Sequence, residues 1–204
     1  MDLRDIKEFF RDFMGYIITA VIIIVIFTFI ISFHPIAGNS MTPSLEEGDI
    51  VIVNKFYPSF FDFKHFQIVI VKKESKTYIK RVIGLPGENV SYSNNLLTIN
   101  DEHFKEPFLG DVTTDDFQCE DICDLEKCPD GVIPEDYYLV LGDNRNDSND
   151  SRNKKFGLVH KDEIKGLVIL RMWPVNKLGK IWWKIIFFLW KNVRFYGHLI
   201  SCEL

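Results

Sequence analysis

Met14 to Phe33 is an uncharged run of 20 residues dominated by isoleucine, valine and phenylalanine. At about 1.5 Å per residue, a helix of that length spans roughly 30 Å of hydrocarbon, so the run predicts one transmembrane helix. A cleavable signal peptide is the rival reading, but the apolar stretch is too long and no A-x-A site follows it. Arg4, Lys7 and Arg11 precede the run, and neither lysine nor arginine follows until Lys55. The positive-inside rule then makes residues 1–13 a cytoplasmic stub and places everything from residue 34 outside the cell (plasma or inner) membrane.

Beyond the anchor the periodicity changes to that of strands. Ile50-Val51-Ile52-Val53 and Ile68-Val69-Ile70-Val71 are continuous apolar runs, which need burial on both faces or contact with a membrane surface. Between them lies an aromatic segment, Phe56 to Phe63, that either caps a core or dips among lipid headgroups. We expect the second. Asn94-Asn95 separates two short runs in the manner of a hairpin, and Tyr137 to Leu141 and Gly166 to Trp173 supply further strands. The fold expected is mostly β, an antiparallel sheet domain formed by residues 34–100 and 137–175.

Two segments stand apart by composition. Residues 101–136 hold 13 acidic residues against Lys105 and Lys127, a net of −11 that leaves +6 for the rest of the chain. The acidity of this insertion reads as solvation rather than as a binding site. Three cysteines lie in it, Cys119, Cys123 and Cys128, without the paired C-x-x-C element of a zinc site. Outside the cytoplasm two of the three can staple the loop, and spacing does not say which; Cys202 is further off. Residues 176–204 form a basic, aromatic tail in which Lys180, Lys184, Lys191 and Arg194 share one helical face and Trp182, Ile185, Ile186, Leu189 and Trp190 the other. That pattern predicts an amphipathic helix lying in the membrane interface.

The chemistry begins at Gly38-Asn39-Ser40-Met41-Thr42-Pro43, just past the anchor, where a serine sits on a constrained turn. A serine hydroxyl needs a positioned base before it can attack. The five histidines, His34, His65, His103, His160 and His198, lie in no setting that suggests a catalytic turn, and the serine turn does not complete a G-x-S-x-G elbow. The better base is Lys80, in Tyr78-Ile79-Lys80-Arg81-Val82-Ile83-Gly84. On a strand Tyr78, Lys80 and Val82 share a face and Arg81 points the other way, so Lys80 and Arg81 need not share an environment, and burial can keep a lysine neutral. A solvated Lys-Arg pair on an edge strand gives the same local pattern.

Four ordered blocks decide between them by resemblance. They are Ser40-Met41-Thr42-Pro43-Ser44-Leu45, Gly48-Asp49 to Lys55, Lys80 to Glu88, and Gly142-Asp143-Asn144-Arg145-Asn146-Asp147-Ser148-Asn149-Asp150-Ser151-Arg152. In this order behind a membrane anchor, the chain resembles the bacterial type I signal peptidases, the Ser/Lys-dyad peptidases of family S26, over roughly residues 14 to 172. The resemblance implies that Ser40 is the nucleophile and Lys80 the general base. It further implies that Ser148 orients the lysine, that Asp143, Arg145, Asp150 and Arg152 form buttressing ion pairs, and that no cofactor or metal is needed. Some members carry a serine hydroxyl in the oxyanion hole where this chain has Gly38; here the hole relies on the Ser40 backbone N–H.

The function so implied is a membrane-anchored serine endopeptidase that removes N-terminal signal peptides from exported preproteins after A-x-A. Its expected partners are those signal peptides, membrane lipid and the export machinery, with no nucleic acid. Two rivals share the features: an inactive membrane-anchored protein that holds signal peptides without cutting, and a Ser/Lys peptidase that processes itself. The second kind is soluble and DNA-linked, which the anchor and a pI near 5.6 oppose.

Overall fold

The computed structural model describes residues 3–122, 128 and 131–179, so the expected tail helix from residue 180 onward lies outside the described residues. Helix α1, Leu3–Val25, tightens into a single π-helical turn at Ile26–Ile30 and passes without a loop into strand β1, Ile31–Pro35. Within it Phe13–Ile30 is long and apolar enough to cross a membrane, and none of that span is buried against the chain. The apolar run was expected to be helical through Phe33; instead Ile31, Ser32 and Phe33 pair with Asn54, Val53 and Ile52. An apolar run has no period by which helix and strand can be told apart, and the free backbone of β2 captures its last residues.

Nine further strands complete an antiparallel domain with β2, Ile50–Asn54. They are β3 (Ile68–Lys73), β4 (Lys76–Gly84), β5 (Val90–Ser93), β6 (Leu96–Ile99), β7 (Glu102–Phe104), β8 (Phe117–Gln118), β9 (Tyr137–Leu141), β10 (Val159–His160) and β11 (Ile164–Trp173). A seven-stranded sheet runs β1-β2-β11-β3-β4-β9-β10, and a four-stranded sheet runs β7-β6-β5-β8. The β5–β6 hairpin turns at Asn94 and Asn95, both with positive φ, as the sequence suggested.

Burial explains the apolar strands. In β3 the side chains of Val69 and Val71 enter one core cluster with Val82, Tyr138 and Val140. Those of Ile68 and Ile70 enter another, with Met41, Leu45, Val51 and Val53. A third cluster lies under the small sheet, and residues 101–136 contribute Phe108, Leu109, Cys119, Ile122 and Ile133 to it. The acidic segment therefore contributes to the folded core, while its described acids other than Glu106 are exposed. Cys128 is in a disulfide, and the buried Cys119 thiol, pushed up to about 11 by burial, is not its partner.

The aromatic segment is split between buried and exposed residues. Phe63 is buried in the core beside Tyr57 and Tyr138. A short helix α2, Tyr57–Phe60, leaves Phe56, Phe60 and Phe61 exposed, with the rings of Phe56 and Phe60 stacked 4.0 Å apart. Just before it, the Lys55 N–H donates to the Ile30 carbonyl and the Lys55 ammonium to that of Thr28, which ties this patch to the end of the apolar helix.

Candidate active site

The Ser40 turn is held from below and from behind. Its neighbours Met41 and Leu45 are buried in the cluster under β2 and β3, and Leu45 N–H returns to the Met41 carbonyl. Gly38 takes a φ of +82°, the left-handed region that glycine reaches without strain. The turn closes where Asp49 accepts from the Glu46 N–H and pairs with Arg171 of β11 at 2.6 Å, both side chains almost fully buried. Ser40 is left half-buried at the crest, and neither its hydroxyl nor its N–H has a hydrogen-bond partner among the described residues.

Lys80 rises on β4, 1% exposed, and its ammonium donates to the Ser148 hydroxyl at 3.0 Å. Burial lowers its pKa from 10.5 to about 8; the carboxylates of Asp150 and Asp143 pull it up and the Arg152 guanidinium pushes it down by smaller amounts. Arg81 is just as buried, on the opposite face. It grips both oxygens of Asp143 at 2.7 and 2.5 Å, donates to Ser44 Oγ and the Phe66 carbonyl, and lies 3.8 Å from the Phe108 ring centroid.

The loop after β9 brings the remaining residues in. Asn144 N–H donates to the Ser40 carbonyl at 3.0 Å and its side chain to that of Asn39, clipping the loop onto the serine turn. Gly142 is the point of closest approach. A β-carbon there would lie 2.1 Å from Ser148 Oγ and 2.5 Å from the Ser40 carbonyl oxygen, so only glycine lets the three strands of chain meet. Asp150 accepts from the Gly142 N–H and from two nitrogens of Arg152. Burial alone would raise its pKa, but Arg152, with help from Gly142 and Ser148, holds it below the ordinary carboxylate value.

All seven residues singled out in the sequence converge here, although two of the ion pairs use partners that were not. Asp143 pairs with Arg81, and Arg145 with Glu106 of the acidic segment at 2.5 Å. Arg145 also donates to Tyr92 Oη and Thr114 Oγ1, while Arg152 pairs within its own loop with Asp150. Arg81 stood beside Lys80 in a quoted block and was legible; Glu106 was one acid among 13 and carried no local signal. Among the described residues, His, Cys, Asp and Glu form no group of three or more that could hold a metal ion.

The sequence has counterparts among known proteins. A family model described as signal peptidase, peptidase S26, matches residues 9–173. The chain belongs to the signal peptidase family. Signal peptidase IB of Staphylococcus aureus is 37% identical to it over 180 residues, covering 84% of this chain and 93% of the relative. Signal peptidase I of Bacillus caldolyticus is 36% identical over 160 residues, covering 74% and 84% of the two chains. A solved signal peptidase I from Enterococcus faecalis V583, 34% identical, gives a TM-score of 0.46 and covers 53% of this chain and 97% of its own. This signal peptidase is thus a serine endopeptidase, and its family match takes in the apolar helix α1 as well as the sheets, so that α1 serves as a membrane anchor.

Proposed function

We propose that this signal peptidase cuts signal peptides from exported preproteins with Ser40 as nucleophile and Lys80 as general base. The observation that carries the reading is the burial of a lysine whose pKa has fallen to about 8, hydrogen-bonded to Ser148, whose loop is clipped to the Ser40 turn. A neutral Lys80 takes the Ser40 proton as Oγ attacks the scissile carbonyl. The tetrahedral oxyanion is received by the Ser40 N–H, whose hydrogen-bonding capacity is unused. Lys80 then donates its proton to the leaving amine, giving an acyl-enzyme, and deprotonates the water that releases it. Ser148 holds the ammonium group in place while Asp150 and Arg152, paired to each other, fix the loop.

The preprotein lies extended. β1 is an edge strand leading straight to the Ser40 turn, and β4 pairs with β9 only from Arg81 onward, so Lys76 to Lys80 offer an unpaired backbone edge beside the dyad. A peptide adds to such edges through main-chain hydrogen bonds, with small residues before the cut fitting close to the sheet. The N-terminal stub is cytoplasmic and the catalytic domain external, as Arg4, Lys7 and Arg11 direct. The exposed Phe56, Phe60 and Phe61 rest among lipid headgroups, because they continue the end of α1.

Cleavage of a purified preprotein by the detergent-solubilised enzyme tests this. Wild type is expected to cut once, after the A-x-A site, and Ser40→Ala and Lys80→Ala to leave the substrate intact while remaining folded. Binding without cutting by wild type makes the chain a signal-peptide-holding protein instead.

A further inference from the structure

The acids of residues 101–136 look interchangeable in sequence, but one of them is not. Of those described, Asp101, Glu102, Asp111, Asp115, Asp116, Glu120, Asp121, Glu135 and Asp136 are exposed, whereas the Glu106 side chain is only 7% exposed. It accepts from Arg145 at Oε1 (2.5 Å) and Oε2 (3.3 Å), and Tyr92 Oη donates to Oε2 at 2.7 Å. The Arg145 side chain has no exposed surface, and it also donates to Tyr92 Oη at 2.8 Å, to Thr114 Oγ1 and to the Gly142 carbonyl, the last at 3.1 Å.

Two residues further on, Phe108 covers the guanidinium of Arg81, the group that grips Asp143. One short stretch, Glu106-Pro107-Phe108, thus closes over both arginines that hold residues 142–145. Gly142 in turn touches Ser148 and Ser40, and Ser148 touches Lys80. Burying an ionised pair is costly and an apolar pair of the same volume serves stability as well or better, so its presence in this place points to a use beyond stability.

We infer that Glu106 is a positioning residue of the cleavage reaction: through Arg145 it fixes the Gly142 carbonyl, and with it the loop on which Ser148 holds Lys80 in reach of Ser40. The inference rests on the Ser40–Lys80 reading. Without the Glu106 carboxylate, Arg145 is a buried cation lacking its anion and moves toward water, drawing Gly142 with it.

The test uses the full-length enzyme in detergent and a preprotein substrate, with Glu106→Gln beside Glu102→Gln, an exposed acid of the same segment. Glu106→Gln is expected to lower kcat by about tenfold to a hundredfold with KM changed less than about twofold, since small misplacements of catalytic groups cost that much. The acidic limb of its kcat profile moves to higher pH, because Lys80, among Ser148, Asp143, Asp150 and Arg152, becomes better hydrated. Glu102→Gln behaves as wild type. Phe108→Leu, which keeps an apolar cover but removes the ring face from Arg81, shifts both quantities in the same direction by less, and decides the matter if Glu106→Gln does not fold. A folded Glu106→Gln enzyme with unchanged kcat and pH limb overturns the inference, as does a loss of rate that only follows the folded fraction. Cleavage by Ser40→Ala overturns the dyad reading instead, whatever Glu106 does.

Discussion

A lysine that must be neutral to work is an expensive residue to fold around. Lys80 loses hydration in a site where, among the described residues, Ser148 is its one hydrogen-bond acceptor, and its pKa falls from 10.5 to about 8. Because the folded pKa lies below the unfolded one, the unfolded chain binds more protons between pH 8 and 10.5, and stability rises with pH through that window. Below pH 8 the deficit is fully present, on the order of 3 kcal/mol. Lys80→Met, close in shape and uncharged, is therefore expected to be inactive yet more stable than wild type at pH 7, with the gain shrinking toward pH 10; urea melts at the two pH values measure it. A destabilised Lys80→Met protein at pH 7 contradicts a buried lysine of lowered pKa. Ser40 and Lys80 could be singled out because four ordered blocks resemble a known family, whereas Tyr92, Thr114 and Glu106 carry no such signal and are brought in only by the fold.

Among elements, the loop after β9 matters most, since it is what brings Ser148 and the arginines to the dyad. Gly142 is its tightest point, with no room for a β-carbon between Ser148 Oγ and the Ser40 carbonyl. Gly142→Ala is expected to push the two apart and cut kcat by about a hundredfold or more while the circular dichroism spectrum stays native; a near-normal rate means that the loop does not set the geometry. The strands themselves were readable as apolar runs bounded by turn residues, and the β5–β6 hairpin from Asn94-Asn95. The end of α1 was not. Helix and strand share Ile, Val and Phe there, and only the pairing of Ile31 to Phe33 with β2 determines where one stops. The role of residues 101–136 was hidden for a different reason: composition averages over a segment, and the few inward side chains, Phe108, Ile122 and Ile133, are outvoted by the acids around them.

For the molecule as a whole, the direct passage from the apolar helix into β1 leaves little slack between that helix and Ser40, and Phe56, Phe60 and Phe61 extend the apolar surface on that side. Phe56→Ser with Phe60→Ser is expected to leave hydrolysis of a soluble peptide in detergent unchanged and to slow cleavage of a preprotein in lipid vesicles several-fold. Equal rates in vesicles remove the aromatic patch from membrane contact. On the proposed reading, folding, anchoring and the Glu106 contact all serve one chemical requirement, an uncharged lysine beside a serine. The pH dependence of kcat/KM for the wild-type enzyme reports it directly, because that profile titrates the base in the free enzyme. The rate is expected to rise through an apparent pKa of about 8 and then level off, matching Lys80. A rise governed by a group near 10.4 indicates an exposed lysine and one near 6.5 a histidine, and either contradicts a buried, neutral Lys80 as the base.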